Sequence, residues 1–326
     1  MTKNREYEMK KQRGTELQQM YIFIVNPESG SGKGRKVWTK IQRKLNKAGI
    51  PYRSFYTKNA GHATELTKQL TELYRNKITA IIAIGGDGTV HEVVNGLALH
   101  PNVPFSAIQA GSGNDFSRGF GLPRRPLSAL NHILYKEGKK RRVDVGVYDF
   151  FRKKMGKGYF INGIGIGFDG EVAQLTNQAK YKKVLNKLKL GGLAYIISAL
   201  KLLYRYKTKK VVIQVDHQQY QFDQVWLIAV CNSPYYGGGL KIVPNARPTD
   251  GELNLVVVSK FKPWQVLLAL GSVYFGWHTR LKNVQMLRGR RIQILSSEPM
   301  LVHADGEVIG TSPLNITVEK EARVIH

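Results

Sequence analysis

Residues 80–89 read AIIAIGGDGT: five apolar residues, two glycines, a carboxylate, a third glycine and a threonine. An unbroken apolar run this short is the mark of a strand buried on both faces, as in a parallel sheet. The segment after it, Val90–Leu99, reads as a helix whose N-terminus faces the same loop. Glycines let the main chain approach a ligand closely, and successive N–H groups at a helix start form an anion cradle. Asp87 cannot serve that cradle by charge. It must hold a cation or accept a proton.

The pattern repeats outward from this point. Tyr21–Val25 (YIFIV) is a short buried strand ending at Asn26-Pro27, followed by glycine-rich residues 30–34 and a helix over Lys36–Ala48 that Gly49 closes. Tyr52–Tyr56 is a second strand, Ala63–Tyr74 a helix and Phe105–Gln109 a further strand. Strand and helix alternate, with loop chemistry at the strand ends, which predicts an α/β domain with a parallel sheet.

Beyond Arg142 the texture changes. Short strand-like runs stand at Val143–Tyr148, Tyr159–Ile166, Val211–Val215, Val225–Cys231, Leu253–Ser259, Val284–Leu287, Arg291–Leu295, Met300–Ala304 and Leu314–Val318. Helices interrupt them around 171–206 and 262–276. This predicts a β-rich, sandwich-like C-terminal domain with a boundary near 143.

With 326 residues the chain can build two cores, and 42% apolar residues argue against wholesale disorder. A single cysteine, Cys231, excludes a disulfide framework and fits a reducing cytoplasm. The net charge of +27 predicts attraction to polyanions, yet no zinc-finger spacing or RNP-type aromatic run points to nucleic acid. Residues 1–19 mix Lys, Arg and Glu without an apolar core, so they read as a flexible tail and not a signal peptide. Gly192–Tyr204 and Trp264–Trp277 are apolar but fall short of the roughly 20 residues a membrane span needs. Lys182–Lys210 interleaves cations with Leu, Ile and Tyr, as a basic interfacial helix would.

Two further loops follow strands. Asn26-Pro27-Glu28-Ser29-Gly30 follows the first, and Gly111-Ser112-Gly113-Asn114-Asp115-Phe116 follows Phe105–Gln109. In open α/β sheets, loops at the carboxyl ends of neighbouring strands converge on one ligand. Near the end, Asp305-Gly306-Glu307 places two carboxylates on a turn.

Taken together, Asn-Pro-x-Ser-Gly, Gly-Gly-Asp-Gly-Thr, Gly-Ser-Gly-Asn-Asp-Phe-Ser-Arg and His303-Ala304-Asp305-Gly306-Glu307 resemble the bacterial diacylglycerol-kinase-like lipid kinases, over residues 20–326 and in family order. The resemblance implies a nucleotide-binding domain at 20–142 completed by 311–326, and a lipid-binding domain at 143–310. It implies ATP and Mg2+, with Asn26, Thr57, Gly85, Gly86, Asp87, Gly88, Thr89, Val90, His91, Ser112 and Asp115 around the nucleotide. Glu307 or Asp87 takes the proton of a lipid hydroxyl. Magnesium is expected at Asp250, with the main-chain carbonyls of Arg247 and Glu252. The expected protein is cytoplasmic and peripheral, meets its lipid at an anionic membrane surface, binds no nucleic acid, and is free to form a homodimer.

Two look-alikes are set aside. Ser29–Lys36 (SGSGKGRK) resembles a phosphate-binding P-loop, but Pro27 stands where the first glycine belongs and Gly34 follows Lys33. Gly163-Ile-Gly165-Ile-Gly167 lacks the full dinucleotide spacing, and reads as a strand at the interdomain cleft with Asn162 and Asp169 as polar neighbours. The rival readings are an NAD kinase, which shares the Gly-Gly-Asp-Gly loop, and a non-catalytic basic membrane- or nucleic-acid-binding protein.

Overall fold

The computed structural model describes residues 19–135, 140–151, 156–179, 185 and 191–326. The tail at 1–19 lies almost wholly outside the described residues, as do Lys182, Lys183, Lys187 and Lys189 of the basic segment.

The first domain runs β1 (Met20–Val25), α1 (Ser29–Ala48), β2 (Tyr52–Tyr56), α2 (His62–Tyr74), β3 (Ile78–Gly85), α3 (Asp87–Gly96), β4 (Phe105–Gln109), α4 (Asp115–Gly119) and α5 (Pro126–Tyr135). Its four strands are parallel, in the order β4-β3-β1-β2. Strand alternation sends Ile22, Ile24, Ile81 and Ala83 to the face packed by Val90, Val93 and Val94 of α3. Phe23, Val25, Ile82 and Ile84 face the other way, onto Val37, Trp38, Ile41 and Leu45 of α1. Burying each of these large side chains contributes about 1.5–3 kcal/mol, which is why the apolar runs are continuous.

The second domain runs β5 (Arg141–Phe150), β6 (Lys157–Phe160), β7 (Gly163–Gly167), α6 (Phe168–Gln178), α7 (Gly191–Leu203), β8 (Lys209–Val215), β9 (Gln218–Cys231), β10 (Leu253–Ser259), α8 (Pro263–Val273), β11 (Val284–Gly289), β12 (Arg291–Ser296), β13 (Leu301–Ala304), β14 (Glu307–Thr311) and β15 (Leu314–Ile325). Its strand pairs are antiparallel and close around Ile164, Ile213, Val230, Leu255, Ile294, Val302 and Ile316. Strand β15 joins the domains. Leu314–Thr317 pair with β12, most of its length pairs with β5, and Ile325 reaches Phe105 of β4 in parallel.

Several elements depart from the expected boundaries, the first helix starting at Ser29 and α3 spanning Asp87–Gly96, and three departures have a plain physical reason. The strand expected over Tyr159–Ile166 is two, β6 and β7, because the amides of Ile161, Asn162 and Gly163 donate to the Asp305 carboxylate at 3.0, 2.8 and 3.2 Å. Strand β9 begins seven residues before the expected Val225, since Tyr220 and Phe222 pack on the core while polar neighbours face out. Strand β15 continues past Val318 through Glu319–Glu321, where a register shift and a left-handed Glu321 absorb the charged residues.

Asp305 also accepts from His91 of α3 at 2.9 Å, and its side chain is fully buried. Replacing it with Ala leaves three main-chain amides and an imidazole inside without a partner. Asp305→Ala is expected to lose about 3–5 kcal/mol of stability. Denaturant unfolding at equilibrium measures it, with His91→Ala costing clearly less.

Candidate functional site

The carboxyl ends of β1, β3 and β4 open toward β13, β14 and the α6–α7–α8 side of the second domain. Between them lies one cleft of 590 Å3. Its floor is the three loops foreseen from the sequence. Asn26 donates to the Thr89 hydroxyl at 3.2 Å and accepts the Glu28 amide at 3.1 Å, tying the first loop to the start of α3. That helix begins at Gly86 with no side-chain cap; the Gly86 carbonyl takes the amides of Thr89 and Val90. The Thr57 amide donates to Val25 at 2.9 Å, holding the end of β2 beside the same opening.

Glycine is required at Gly111, where two loops touch main chain to main chain, while Gly88 leaves space for the tip of Glu307. A β-carbon on Gly111 would lie 2.6 Å from the Cα of Gly86, and one on Gly88 would lie 2.7 Å from Oε1 of Glu307. The main chain is therefore the wall of the cleft here, which suits a group read through N–H donors. Asn114 holds a left-handed conformation before α4, and its side-chain oxygen is buried without a partner. The glycine walls leave room for an anion beside the main chain, while the Asn114 oxygen, an acceptor, calls for a donor or a cation.

Two carboxylates stand over the cradle. Asp87 accepts from Gln109 at 3.0 Å and from the Phe116 amide at 3.1 Å, yet burial raises its pKa. Asp115 accepts the Gly238 amide at 2.8 Å, with Arg118 at 3.4 Å. Burial, with the Asp87 charge beside it, pushes Asp115 up to about 7. Two ionised carboxylates this close repel each other, and a divalent cation between them would remove the penalty.

A second cluster lies across the cleft. Asp169 accepts from His303 Nε2 at 2.9 Å and from the Tyr236 hydroxyl, while His303 Nδ1 accepts the Gly306 amide at 3.2 Å. Burial acts to raise Asp169, but His303 and Tyr236 outweigh it and hold the carboxyl below its usual range. The turn carrying Glu307 is thus gripped from both sides, by Asp305 beneath and His303 beside it.

Of the residues expected at the site, Asn26, Thr57, Gly86, Asp87, Gly88, Thr89, Ser112, Asp115 and Glu307 line this one cleft. Gly85, Val90 and His91 do not. Val90 is fully buried in the core with its amide on the Gly86 carbonyl, and the His91 ring is turned to Asp305. Burial works to lower His91, but the Asp305 carboxylate more than offsets it and raises the imidazole. Arg247, Asp250 and Glu252 also lie outside the lining. Arg288 sits 2.8 Å from Asp250 and against Glu252, so a cation there would compete with a guanidinium. Among the described residues, no group of three or more His, Cys, Asp or Glu side chains is arranged to hold a metal.

The sequence reading gave no role to Tyr236, Gly238 or Arg118. The run Tyr235-Tyr236-Gly237-Gly238-Gly239 was the available signal, and all three glycines have positive φ. Nor did it foresee the chamber behind the loops. There α6, α7 and α8 contribute Phe168, Val172, Leu203, Val266 and Leu270, so the cleft has an apolar part beside its polar loops; Glu307 lies against Gly88, and Asn177 of α6 donates to the neighbouring Gly306 carbonyl.

The raised Asp115 sets a pH dependence. Between about pH 4 and 7 the folded chain keeps a proton that the unfolded chain has released, because the ordinary value is 3.8. The folded state is therefore favoured below pH 4 and loses that stabilisation as pH rises to 7. In metal-free buffer Asp115→Asn is expected to flatten the decline, gaining on the order of 3 kcal/mol over wild type at pH 8 and little at pH 4. Denaturant melts across that range check it.

Comparison with known proteins agrees with this architecture. Residues 20–148 match the diacylglycerol kinase catalytic domain, and residues 162–325 match the YegS C-terminal NAD kinase beta sandwich-like domain. The chain is 34% identical over 297 residues to the Bacillus subtilis (strain 168) protein named "Putative lipid kinase YtlR", covering 91% of this chain and 96% of that one. It is 32% identical over 296 residues to a diacylglycerol kinase of Staphylococcus saprophyticus, covering 90% of each. The crystal structure of a diacylglycerol kinase from Bacillus anthracis str. Sterne superposes with a TM-score of 0.69 at 25% identity, covering 94% of this chain and 96% of that one. Matched along both halves and by relatives of nearly its own length, the chain belongs to the diacylglycerol-kinase-like lipid kinase family.

Proposed function

We propose that this protein transfers the γ-phosphate of ATP to the hydroxyl of a membrane lipid, diacylglycerol or a related one. One observation carries the reading: glycine-walled polar loops and an apolar chamber line a single cleft, and Glu307 lines it against Gly88. An NAD kinase would need polar walls for its second nucleotide, and here those walls are Phe, Val and Leu.

In this reading Asn26, Thr57, Gly86–Thr89 and Ser112 hold the nucleotide, mainly through main-chain donors and hydroxyls. Magnesium, with Asp87 and Asp115 as its carboxylates, supplies positive charge to the phosphate oxygens. The turn at Arg247, Asp250 and Glu252 would offer a further magnesium position only in place of Arg288, which pairs with both carboxylates. Glu307 accepts the proton of the lipid hydroxyl as its oxygen bonds to the γ-phosphorus and the bond to the ADP oxygen breaks. Asp87 is the less suitable base, because Gln109 and the Phe116 amide already occupy one of its oxygens. Asp305 and His303 position Glu307 and do not touch the reacting atoms. The protein works at the cytoplasmic face of a membrane as a peripheral enzyme; among the described residues no helix is long and apolar enough to cross one.

The test is transfer of label from γ-labelled ATP, with magnesium, into a panel holding diacylglycerol, other hydroxyl lipids and NAD. Label is expected in a lipid. Glu307→Gln and Asp87→Asn are each expected to lower kcat by about 10²-fold or more with the fold retained by circular dichroism. Label in NAD, or full activity in both variants, overturns the reading.

A further inference from the structure

Helix α8 is apolar on two faces but covered on only one. Val266, Leu270 and Val273 line the chamber, while Trp264 and Leu268 on the opposite side are 53% and 68% exposed. Beyond the helix, Gly276 takes a left-handed φ of 72°, which turns the chain so that Phe275 and Trp277 stack at 4.9 Å in the open, 66% and 60% exposed. A helix apolar all round belongs in a core or a membrane, and a soluble protein seldom leaves so large an aromatic cluster uncovered. Eleven residues span only about 16 Å at 1.5 Å per residue, too short to cross a bilayer and suited to lying in its interface.

The charge around this cluster identifies what covers it. No Asp or Glu lies between Glu252 and Glu298, nor between Glu171 and Asp216, so α7 and α8 carry no carboxylate, and those of α6, Asp169 and Glu171, are confined to its first turn. Lys260, Lys262, Arg280 and Lys282 are exposed beside the aromatic residues. A second copy of a chain of net charge +27 would meet this face with like charge. An anionic bilayer meets it with opposite charge below and hydrocarbon for the rings, and Trp is favoured at that boundary.

We infer that α8 and the Phe275–Trp277 turn form the membrane-docking surface of this protein, inserting into the headgroup layer of an anionic bilayer. The same helix then walls the chamber with one face and enters lipid with the other, so a lipid hydroxyl reaches Glu307 without crossing water. The inference rests on the lipid kinase reading for its purpose. Its test does not depend on catalysis.

Of the four tryptophans, Trp38 and Trp226 are each 2% exposed, so quenching by lipids brominated on the acyl chain reads Trp264 and Trp277. The full chain, without ATP, is mixed with brominated phosphatidylglycerol vesicles or with phosphatidylcholine ones. Expected are quenching and a blue shift with the anionic vesicles, much less with the neutral ones. In sedimentation, Phe275→Ser/Trp277→Ser should bind phosphatidylglycerol at least about tenfold more weakly. The same variant should phosphorylate a water-soluble short-chain diacylglycerol at the wild-type rate. Binding without quenching, undiminished binding by the double variant, or a lipid-free dimer abolished by it would each overturn the inference. If quenching holds but no lipid of the hydroxyl-lipid panel is phosphorylated by the wild type, the docking surface stands and the kinase reading fails.

Discussion

The Asp305 carboxylate is the fastening on which the rest of the structure depends. It is buried, and it takes hydrogen bonds from three consecutive amides of the second domain and from His91 of the first. A carboxylate in such a place is tolerated only because every lone pair is used. The arrangement has three consequences. It breaks one strand into two, it holds α3 against the second domain, and it sets the turn that presents Glu307 beside Gly88. The geometry of the cleft follows from a single satisfied charge.

Across the cleft the electrostatics are uneven in a way that suits phosphoryl transfer. Asp87 and Asp115 are both raised by burial, and Asp115 also by the Asp87 charge beside it, a penalty that a bound cation would relieve. Asp169 is held low by His303 and Tyr236. One side is thus unsatisfied until a ligand arrives, whereas the other is already complete and serves as support. The chamber wall supplied by α7 and α8 carries no such charges.

The half that carries the glycine loops was legible because its signals are local. A buried strand, a glycine loop and a helix N-terminus are written within ten residues, and AIIAIGGDGT needed no partner to be read. The β-rich half was legible as strands but not in their limits. Gln218–Gln224 is mostly polar, and only its pairing with β8 shows that Tyr220 and Phe222 alternate inward. Glu307–Thr311 was not foreseen as a strand, because a turn at Asp305-Gly306 reads the same whether or not a hairpin follows it. The apolar stretches at 192–204 and 264–277 were visible, but which of their faces are covered was not.

By itself the sequence determined the fold class, the order of the loops and the chemical kind of each contacting residue, since glycine spacing, strand periodicity and carboxylate identity are properties of short segments. Only the tertiary structure decided which of those residues meet. It turned His91 away from the cleft and into a bond with Asp305, paired Asp250 with Arg288, brought Glu307 over 200 residues of chain to Gly88, and left one face of α8 bare. These are contacts between segments far apart in the chain, and the free energy that selects them belongs to packing and desolvation, which no local pattern carries.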